Sequence, residues 1–250
     1  MPLYWSLLVL GVVVLWVAVW WGSLSTVSAT RTTMVTRDAS QPWWQQLDQI
    51  LYINLDDRGD RRTHMETLLS QTLGVPKDRF ERVAAVRDSP GWKGCAQSHV
   101  KAVELALERQ YHYVCILEDD FCPLSVEFSA SLETAWATLP SAFHVLMLGL
   151  TPIRLQRIQK DPLYRVRQAL AMPGYIVARE YLPVLLKTFR QALAEQQPID
   201  LLTQRLQASD RWYGFFPPIA RQLPGFSDIE NRHTDYGFLE LEGRMLKFID

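Results

Sequence analysis

Short apolar runs alternate with amphipathic segments along most of this 250-residue chain. Strands are predicted for five apolar runs, at 49–55, 79–86, 113–117, 144–150 and 174–178. The second of these runs is short and has the composition of an edge strand. Helices are predicted where apolar positions recur with helical spacing, at 61–72, 96–110, 125–139 and 180–194. Because strands alternate with helices, the pattern predicts an α/β domain with a mostly parallel sheet flanked by helices.

The N-terminal apolar segment differs from the other runs because it is long and carries no charge. Residues 3–21 read LYWSLLVLGVVVLWVAVWW, and as a helix they span roughly 28 Å, close to the thickness of a bilayer core. We predict a transmembrane anchor over 1–21, a stem or linker rich in Ser and Thr over 22–42, and a folded domain over 43–250.

The predicted anchor implies a single-pass membrane protein, in the secretory pathway (Golgi or ER) if the source is eukaryotic. Its orientation stays open, since the nearest basic residues, Arg31 and Arg37, follow the span and argue mildly against a lumenal catalytic part. A cleaved signal peptide, ending in the small residues Val27, Ser28 and Ala29, also stays open. Cleavage there would leave a soluble protein.

Charge and cysteine content narrow the class of protein. The formal net charge of −1 lacks the basic excess of nucleic-acid binders, so we expect no nucleic-acid partner. Three cysteines, Cys95, Cys115 and Cys122, form no C-x-x-C pair. They are typical of buried free thiols, although one disulfide bridge stays open.

Three acids, Glu118, Asp119 and Asp120, follow directly after the apolar run at 113–117. In open α/β sheets, ligands bind at the carboxyl ends of the strands. Glu118 and Asp120 can both reach a divalent cation such as Mg²⁺ or Mn²⁺, which would offset their mutual repulsion. A solvated acidic turn is the alternative. An aspartyl-phosphate site of the haloacid-dehalogenase kind is discounted, because Phe121 and Cys122 follow where a small residue and Thr are usual.

Two further polar segments carry candidate binding groups. INLDDRGDRR, at 53–62, follows the first predicted strand, and its arginine forks suit phosphate oxygens while Asp or Asn suits ribose or a base edge. GCAQSH, at 94–99, opens the predicted helix at 96–110, where free N–H groups favour anions. The alternatives are an ordinary helix start for the first segment and a structural histidine for the second.

The ordered set of motifs resembles glycosyltransferase family 25, which contains lipooligosaccharide and collagen hydroxylysine galactosyltransferases. INLDDRGDR fits the family's I-N-L-D-x-R-x-D-R opening, GCAQSH fits G-C-x-x-S-H, and ILEDD fits a strand followed by E-D-D. Later segments, PGYIVA, QPID and PPIARQLPGFSDIEN, resemble further family elements. The resemblance covers residues 50–231. Residues 151–170 match nothing in the family, and the tail at 234–250 continues beyond it as a closing helix or an extension.

The resemblance implies a GT-A-type, Rossmann-like fold, a UDP-sugar donor, a divalent metal (Mn²⁺ or Mg²⁺) and transfer with inversion. Arg58 and Arg61 are then expected to hold the donor phosphate or uridine, and Asp119 to lie near the ribose. Glu118 and Asp120 are the expected metal ligands. The remaining candidate donor-binding residues are Asn54, Asp56, Ser98, His99, Gln222 and Ser227.

Inversion in one displacement needs a base beside the acceptor hydroxyl. Asp200, in QPID, is the first candidate and Asp228, in GFSDIEN, the second, although each could instead cap a helix. Asp228 could also complete the donor or metal site. His233 is either an additional metal ligand or a surface histidine.

These expectations combine into a membrane-anchored glycosyltransferase. It would transfer a hexose, most plausibly galactose, from a UDP-sugar to a saccharide or hydroxylated acceptor on a glycoprotein or lipid. The alternative is a non-catalytic, membrane-tethered protein on the same fold that binds a nucleotide sugar or a glycan.

Overall fold

The computed structural model describes residues 38, 40–158, 162–235 and 246–249. The predicted anchor at 1–21 and most of the predicted stem at 22–42 lie outside these ranges. Within them, no helix combines the length and the apolar character needed to cross a membrane.

The described residues form thirteen strands and five α-helices. The strands are β1 (Gln49–Asn54), β2 (Phe80–Ala84), β3 (Tyr113–Glu118), β4 (Phe121–Pro123), β5 (Val145–Met147), β6 (Thr151–Arg157), β7 (Leu163–Leu170), β8 (Gly174–Ala178), β9 (Trp212–Phe215), β10 (Ala220–Gln222), β11 (Gly225–Ser227), β12 (Arg232–Thr234) and β13 (Lys247–Ile249). The α-helices are α1 (Gly59–Thr67), α2 (Gly91–Glu108), α3 (Phe128–Thr138), α4 (Leu182–Glu195) and α5 (Ile199–Ser209). A π-helical turn, Leu68–Thr72, extends α1, and short 3₁₀ helices lie at Trp43–Gln46, Lys77–Arg79 and Arg179–Tyr181.

Nine strands form one sheet in the order β13–β6–β7–β9–β5–β8–β3–β1–β2. The described pairings are parallel at β1–β2, β1–β3, β5–β9 and β6–β13. They are antiparallel at β3–β8, β5–β8, β6–β7 and β7–β9. The predicted α/β architecture is confirmed, with β2 at one edge of the sheet. Parallel pairing holds for the β2–β1–β3 segment, where the predicted binding motifs lie.

Helices cover both faces of this sheet because side chains alternate along each strand. On β1, Leu51 and Ile53 join a buried cluster with residues of α2, α4 and α5. Ile50 and Tyr52, on the same strand, join a second cluster with α1 and α3. This two-sided burial explains why the predicted strands are nearly continuous apolar runs.

Three segments differ from their sequence predictions. Helix α2 begins at Gly91 rather than at 96, with Pro90 in the N-cap position, where its missing backbone N–H breaks no intrahelical hydrogen bond. The unmatched region at 151–170 forms the β6–β7 hairpin. The C-terminal residues Lys247–Ile249 are neither a closing helix nor a tail, but a strand that pairs in parallel with β6.

Candidate active site

A cleft of about 640 Å³ opens where β1, β2 and β3 end. Parallel strands bring their carboxyl ends to the same edge of a sheet, so segments distant in sequence meet there. The cleft is lined by ten of the residues predicted from sequence: Asn54, Arg61, Ser98, Glu118, Asp119, Asp120, Asp200, Gln222, Ser227 and Asp228. Asp56, Arg58 and His99, which were predicted with them, do not line it.

Asp119 is held by partners on both of its carboxylate oxygens. Arg61 Nη1 donates to Oδ1 at 2.7 Å, and Asn54 Nδ2 donates to Oδ2 at 2.8 Å. The Asn54 Oδ1 atom in turn accepts from Arg82 Nε at 2.9 Å. Burial raises the pKa of Asp119, while Arg61 and Asn54 oppose that rise. We call these four residues the paired network, because each of their charged groups has a partner within the protein.

Asp120 is less completely paired than its neighbour. Its Oδ2 atom accepts from Arg61 Nη1 at 3.3 Å. Its buried Oδ1 atom has no hydrogen-bond donor in the described part of the chain. Burial, followed by the nearby Glu118 carboxylate, raises the pKa of Asp120 to about 8. An acid in this position favours either a proton or a cation.

Glu118 lies between the cleft and a buried histidine. Gln222 Nε2 donates to its Oε2 atom at 3.2 Å, and His99 Nε2 lies 3.3 Å from Oε1. These contacts aim the carboxylate into the cleft beside Asp120. The residues therefore fit a hard divalent cation, since a cation would give the buried Asp120 Oδ1 atom a partner and offset the repulsion between the two acids.

The sequence predicted that the GCAQSH segment, at 94–99, opens a helix. This prediction is wrong, because the segment lies inside α2. Because α2 begins at Gly91, Ser98 and His99 lie beyond its first turn. Ser98 Oγ donates to Gly94 O at 2.6 Å and accepts from Val86 N at 2.8 Å, so it joins α2 to the loop after β2. That loop approaches so closely that a Cβ atom on Gly94 would lie 2.4 Å from Val86 O.

His99 is buried behind the cleft. Its Nδ1 atom lies 3.0 Å from the Tyr175 hydroxyl, and its ring packs against Tyr175 and Phe189. Cys95, one helical turn earlier, lines the cleft, and burial followed by Glu118 raises the pKa of its thiol. All three cysteines of the chain are free.

Asp200 lines the cleft from the first turn of α5. The N-cap of that helix is Pro198, so the alternative that Asp200 caps the helix is wrong. Ala171 N donates to Asp200 Oδ2 at 3.4 Å. No arginine, lysine or histidine of the described residues forms an ion pair with Asp200, and burial raises its pKa.

Asp228, the second candidate base, is held by two arginines. Arg87 Nη1 donates to its Oδ1 atom at 3.1 Å, and Arg58 Nη1 contacts its Oδ2 atom.

Arg58 also forms a two-pronged ion pair with Asp60. Arg58 is thus occupied by carboxylates of the protein, and Asp56, largely exposed, pairs with Arg82.

The segment that contains Asp228 covers one side of the cleft. Arg61 Nη2 donates to Phe226 O at 2.8 Å, which attaches β11 to α1. Gly91 faces the backbone of Ile229, and a Cβ atom at Gly91 would lie 2.5 Å from the Ile229 Cα atom. His233 is exposed on β12 and does not line the cleft; its ring packs edge-on against Phe226.

Sequence reasoning missed several residues that line or organise the cleft. Arg82 and Arg87 anchor acids from two segments, at 56–57 and at 228, and Trp92 and Cys95 line the cleft from α2. The end of β7 and the two residues after it, 170–172, line the cleft near Asp200. Arg82 lies opposite Tyr52 only through the parallel β1–β2 register, which no local sequence pattern specifies. Residues 170–172 gave no sequence signal either.

Comparisons with known proteins give fold-level similarity alone. No protein-family model and no curated protein matches the chain. Among solved structures, a glycosyltransferase involved in glycosylation of the major capsid of PBCV-1 is similar at 8% identity and TM-score 0.42, covering 73% of this chain and 95% of that one. A mutant of Drosophila β-1,4-galactosyltransferase 7, in complex with manganese, UDP-Gal and xylobiose, is similar at 14% identity and TM-score 0.36, covering 74% and 69%. The apo form of UDP-glucose pyrophosphorylase is similar at 9% identity and TM-score 0.43, covering 79% and 78%. Because all three TM-scores are below 0.5, functional reasoning rests on the residues of this chain.

Proposed function

We propose that this protein is a glycosyltransferase that transfers a hexose from a UDP-sugar to an acceptor hydroxyl, with inversion at the anomeric carbon. One observation carries the proposal. Motifs that lie far apart in sequence, at 53–62, 94–99, 116–120, 197–200 and 225–231, each contribute residues to the lining of one cleft. The order of these motifs resembles glycosyltransferase family 25.

The donor diphosphate would lie near Glu118 and Asp120. These two carboxylates would hold a divalent cation, which when bound neutralises charge on the departing diphosphate. Arg87 lines the cleft and its side chain is half exposed, so it can reach a phosphate by exchanging its surface ion pair with Asp57. Arg61 keeps Asp119 and Asp120 in place, and this positioning is its main contribution.

Asp200 would act as the general base. It lines the same cleft, has no ion-pair partner among the described residues, and its raised pKa brings it closer to neutral pH. Its carboxylate would take the proton of the acceptor hydroxyl while that oxygen bonds to the anomeric carbon. The bond from the anomeric carbon to the diphosphate oxygen breaks in the same step, and UDP leaves. Asp228 is less suited to this role because two arginines occupy its oxygens.

The finer assignments rest on the family resemblance. Galactose is the proposed sugar, and a saccharide or a hydroxylated group on a glycoprotein or lipid is the proposed acceptor. The membrane anchor at 1–21 and a location in the secretory pathway, if the source is eukaryotic, are proposals of the same kind. Galactose can be tested against other sugars with the same assay that tests transfer.

UDP release tests the proposal directly. The full chain would be incubated with Mn²⁺ and each of several UDP-sugars, with and without a panel of saccharide and hydroxylated acceptors. We expect UDP release that depends on the metal and rises with one acceptor class, and an inverted anomer in the product by NMR. Binding of a UDP-sugar without release under every condition would instead favour the non-catalytic binding protein.

A further inference from the structure

Three potential metal ligands of different chemistry converge behind the acidic motif. They are the Cys95 thiol, the His99 imidazole and the Glu118 carboxylate, and one ligand atom from each lies within 4.8 Å of the other two. We propose that they form a site for a thiophilic divalent ion such as Zn²⁺, distinct in its ligand set from the Glu118–Asp120 pair. Glu118 belongs to both sets.

The backbone holds these ligands in place. Cys95 and His99 are four residues apart on α2, so their side chains lie on the same face of the helix, one turn apart. Glu118 ends β3, a buried central strand of the sheet. Tetrahedral zinc with Zn–S of about 2.3 Å and Zn–N of about 2.0 Å separates its ligand atoms by about 3.5 Å. The His99 Nε2 to Glu118 Oε1 distance of 3.3 Å already meets that requirement.

Supporting contacts orient two of the ligands. The Tyr175 hydroxyl lies 3.0 Å from His99 Nδ1, which leaves Nε2 facing Glu118. Gln222 Nε2 donates to Glu118 Oε2 at 3.2 Å, which leaves Oε1 facing His99. Metal-binding histidines and carboxylates usually have outer partners of this kind, which fix the ring or carboxylate orientation.

Ligand chemistry and access favour zinc over magnesium or manganese. Thiolate and imidazole select zinc and similar ions, whereas the Glu118–Asp120 pair offers the oxygen ligands that Mg²⁺ and Mn²⁺ prefer. His99 is 1% exposed and closes the site from behind. Cys95 and Glu118 line the cleft, so an ion can enter from there and a fourth coordination position faces it.

Because Glu118 belongs to both ligand sets, zinc binding should affect UDP-sugar binding, an effect that rests on the proposed function. An ion held by Cys95 and His99 would draw Glu118 away from Asp120. Zinc is then expected to weaken UDP-sugar binding in the presence of Mn²⁺, which makes the site inhibitory. Zinc binding itself requires no nucleotide, so it can be measured even if no UDP-sugar binds.

Cobalt(II) absorption tests the site, because Co²⁺ replaces zinc and reports a sulfur ligand through a thiolate-to-metal charge-transfer band. The full-length protein would be titrated with CoCl₂ and then with ZnCl₂. We expect the band in the wild type and its loss on adding zinc. Cys95→Ser should abolish the band and lower zinc affinity by about 100-fold or more, since losing even an outer partner costs about 10- to 100-fold.

Cys122→Ser is the matched control. That thiol lies on β4, contacts the Pro123 carbonyl and does not line the cleft. It should leave the cobalt band intact. No band in the wild type, or the same band in Cys95→Ser, would overturn the proposal.

Alkylation of the wild type gives a second readout if Cys95→Ser fails to fold. Peptide mass spectrometry would follow iodoacetamide labelling of Cys95 and Cys122 in the same sample. Zinc should protect Cys95 and leave the labelling rate of Cys122 unchanged, whereas Mg²⁺ should protect neither. Equal labelling of Cys95 with and without zinc would contradict the site.

Discussion

Two parts of the cleft contain buried aspartates that differ in how completely their carboxylates are paired. In the paired network, both Asp119 oxygens accept hydrogen bonds, from Arg61 and from Asn54. Asp200, on α5, accepts only backbone N–H groups, among them that of Ala171 at 3.4 Å, and has no ion-pair partner in the described ranges. Asp120 lies between these extremes, with one oxygen near Arg61 and the other lacking a donor. We call Asp120 and Asp200 the open acids; Glu118 is not one of them, because its two oxygens face Gln222 and His99.

This difference in pairing distinguishes an acid that holds the structure, Asp119, from acids that can act on a ligand, Asp120 and Asp200. A buried charge whose partners are complete stabilises one geometry and has little left to offer a ligand. A buried acid without partners costs free energy until a proton, a cation or a substrate satisfies it. From sequence, Glu118 and Asp120 are expected to hold a metal and Asp119 to lie near the ribose. The structure shows that Asp119 is engaged within the protein and that Asp120 is available.

The largest predicted effect is on turnover. Asp200→Asn should lower the rate of sugar transfer by about 10²- to 10⁴-fold, the usual contribution of a general base, and leave the affinity for the UDP-sugar within about twofold. Steady-state kinetics and calorimetry on the same preparation would measure both. Asp78→Asn, at an exposed acid outside the cleft, is the control and should match the wild type. A transfer rate in Asp200→Asn equal to that of the wild type would remove Asp200 from the base role.

The next prediction contrasts adjacent acids. Asp119→Asn should lower the free energy of unfolding by about 3 kcal/mol, because it leaves Arg61, which is 15% exposed, without its closest counter-charge. Asp120→Asn should not destabilise the metal-free protein, since the amide replaces an acid whose hydrogen bonding is incomplete. Denaturant unfolding in a chelator would measure both variants. Equal destabilisation by the two changes would contradict the distinction between paired and open acids.

Stability of the metal-free protein should depend on pH through the open acids. Because the folded-state pKa of Asp120 is raised from 3.8 to about 8, the folded state binds the extra proton between those values. The contribution of this acid to the free energy of unfolding is fully present below pH 3.8 and is lost as pH rises toward about 8. One such proton gives a slope of up to about 1.4 kcal/mol per pH unit.

Unfolding free energies of the wild type and Asp120→Asn, measured in a chelator over this pH range, would isolate that contribution. We expect the wild type to lose stability relative to the variant as pH rises, and saturating Mn²⁺ to remove the loss by binding the ionised acid. A difference between the two proteins that stays constant with pH would show that Asp120 is an ordinary, solvated carboxylate.

The smallest prediction concerns the segment that covers the cleft. Gly91→Ala places a Cβ atom 2.5 Å from the Ile229 Cα atom, so the backbone of one segment must move. We expect a loss of about 1–3 kcal/mol in stability, typical of overpacking, and a several-fold weaker UDP-sugar affinity. Gly59→Ala, at a glycine whose added Cβ would meet nothing within 4 Å, is the control. UDP-sugar affinity in Gly91→Ala equal to that of the control would separate this segment from donor binding.

The sequence predicted the fold well where apolar runs are buried on both faces. Strands β1, β3 and β8 and helices α3 and α4 lie close to their predicted positions because their side chains pack into the two clusters. It failed where local pattern was weak. Strand β6 mixes buried and exposed positions irregularly and contains register shifts against β7, so neither strand nor helix periodicity was visible.

The residues of the site were easier to predict than their partners. Motif spacing indicated Glu118, Asp120 and Asp200, but hydrogen bonding decides which acid is engaged. The arginine that holds Asn54 comes from β2, and the Ala171 N–H that meets Asp200 follows β7. These contacts depend on sheet order, which no local pattern specifies. The distinction between the paired network and the open acids therefore required the structure.

Binding of UDP-galactose to the full chain, measured by calorimetry with Mn²⁺ and with EDTA, tests whether Asp120 belongs to a metal-dependent donor site. The wild type and Asp120→Ala would be compared. We expect binding by the wild type with Mn²⁺, and none in EDTA or in the variant under either condition. Binding that is unchanged by EDTA and by the variant would contradict a metal-dependent donor site at Asp120. If the wild type binds neither UDP-galactose nor any other UDP-sugar, the proposed function is contradicted.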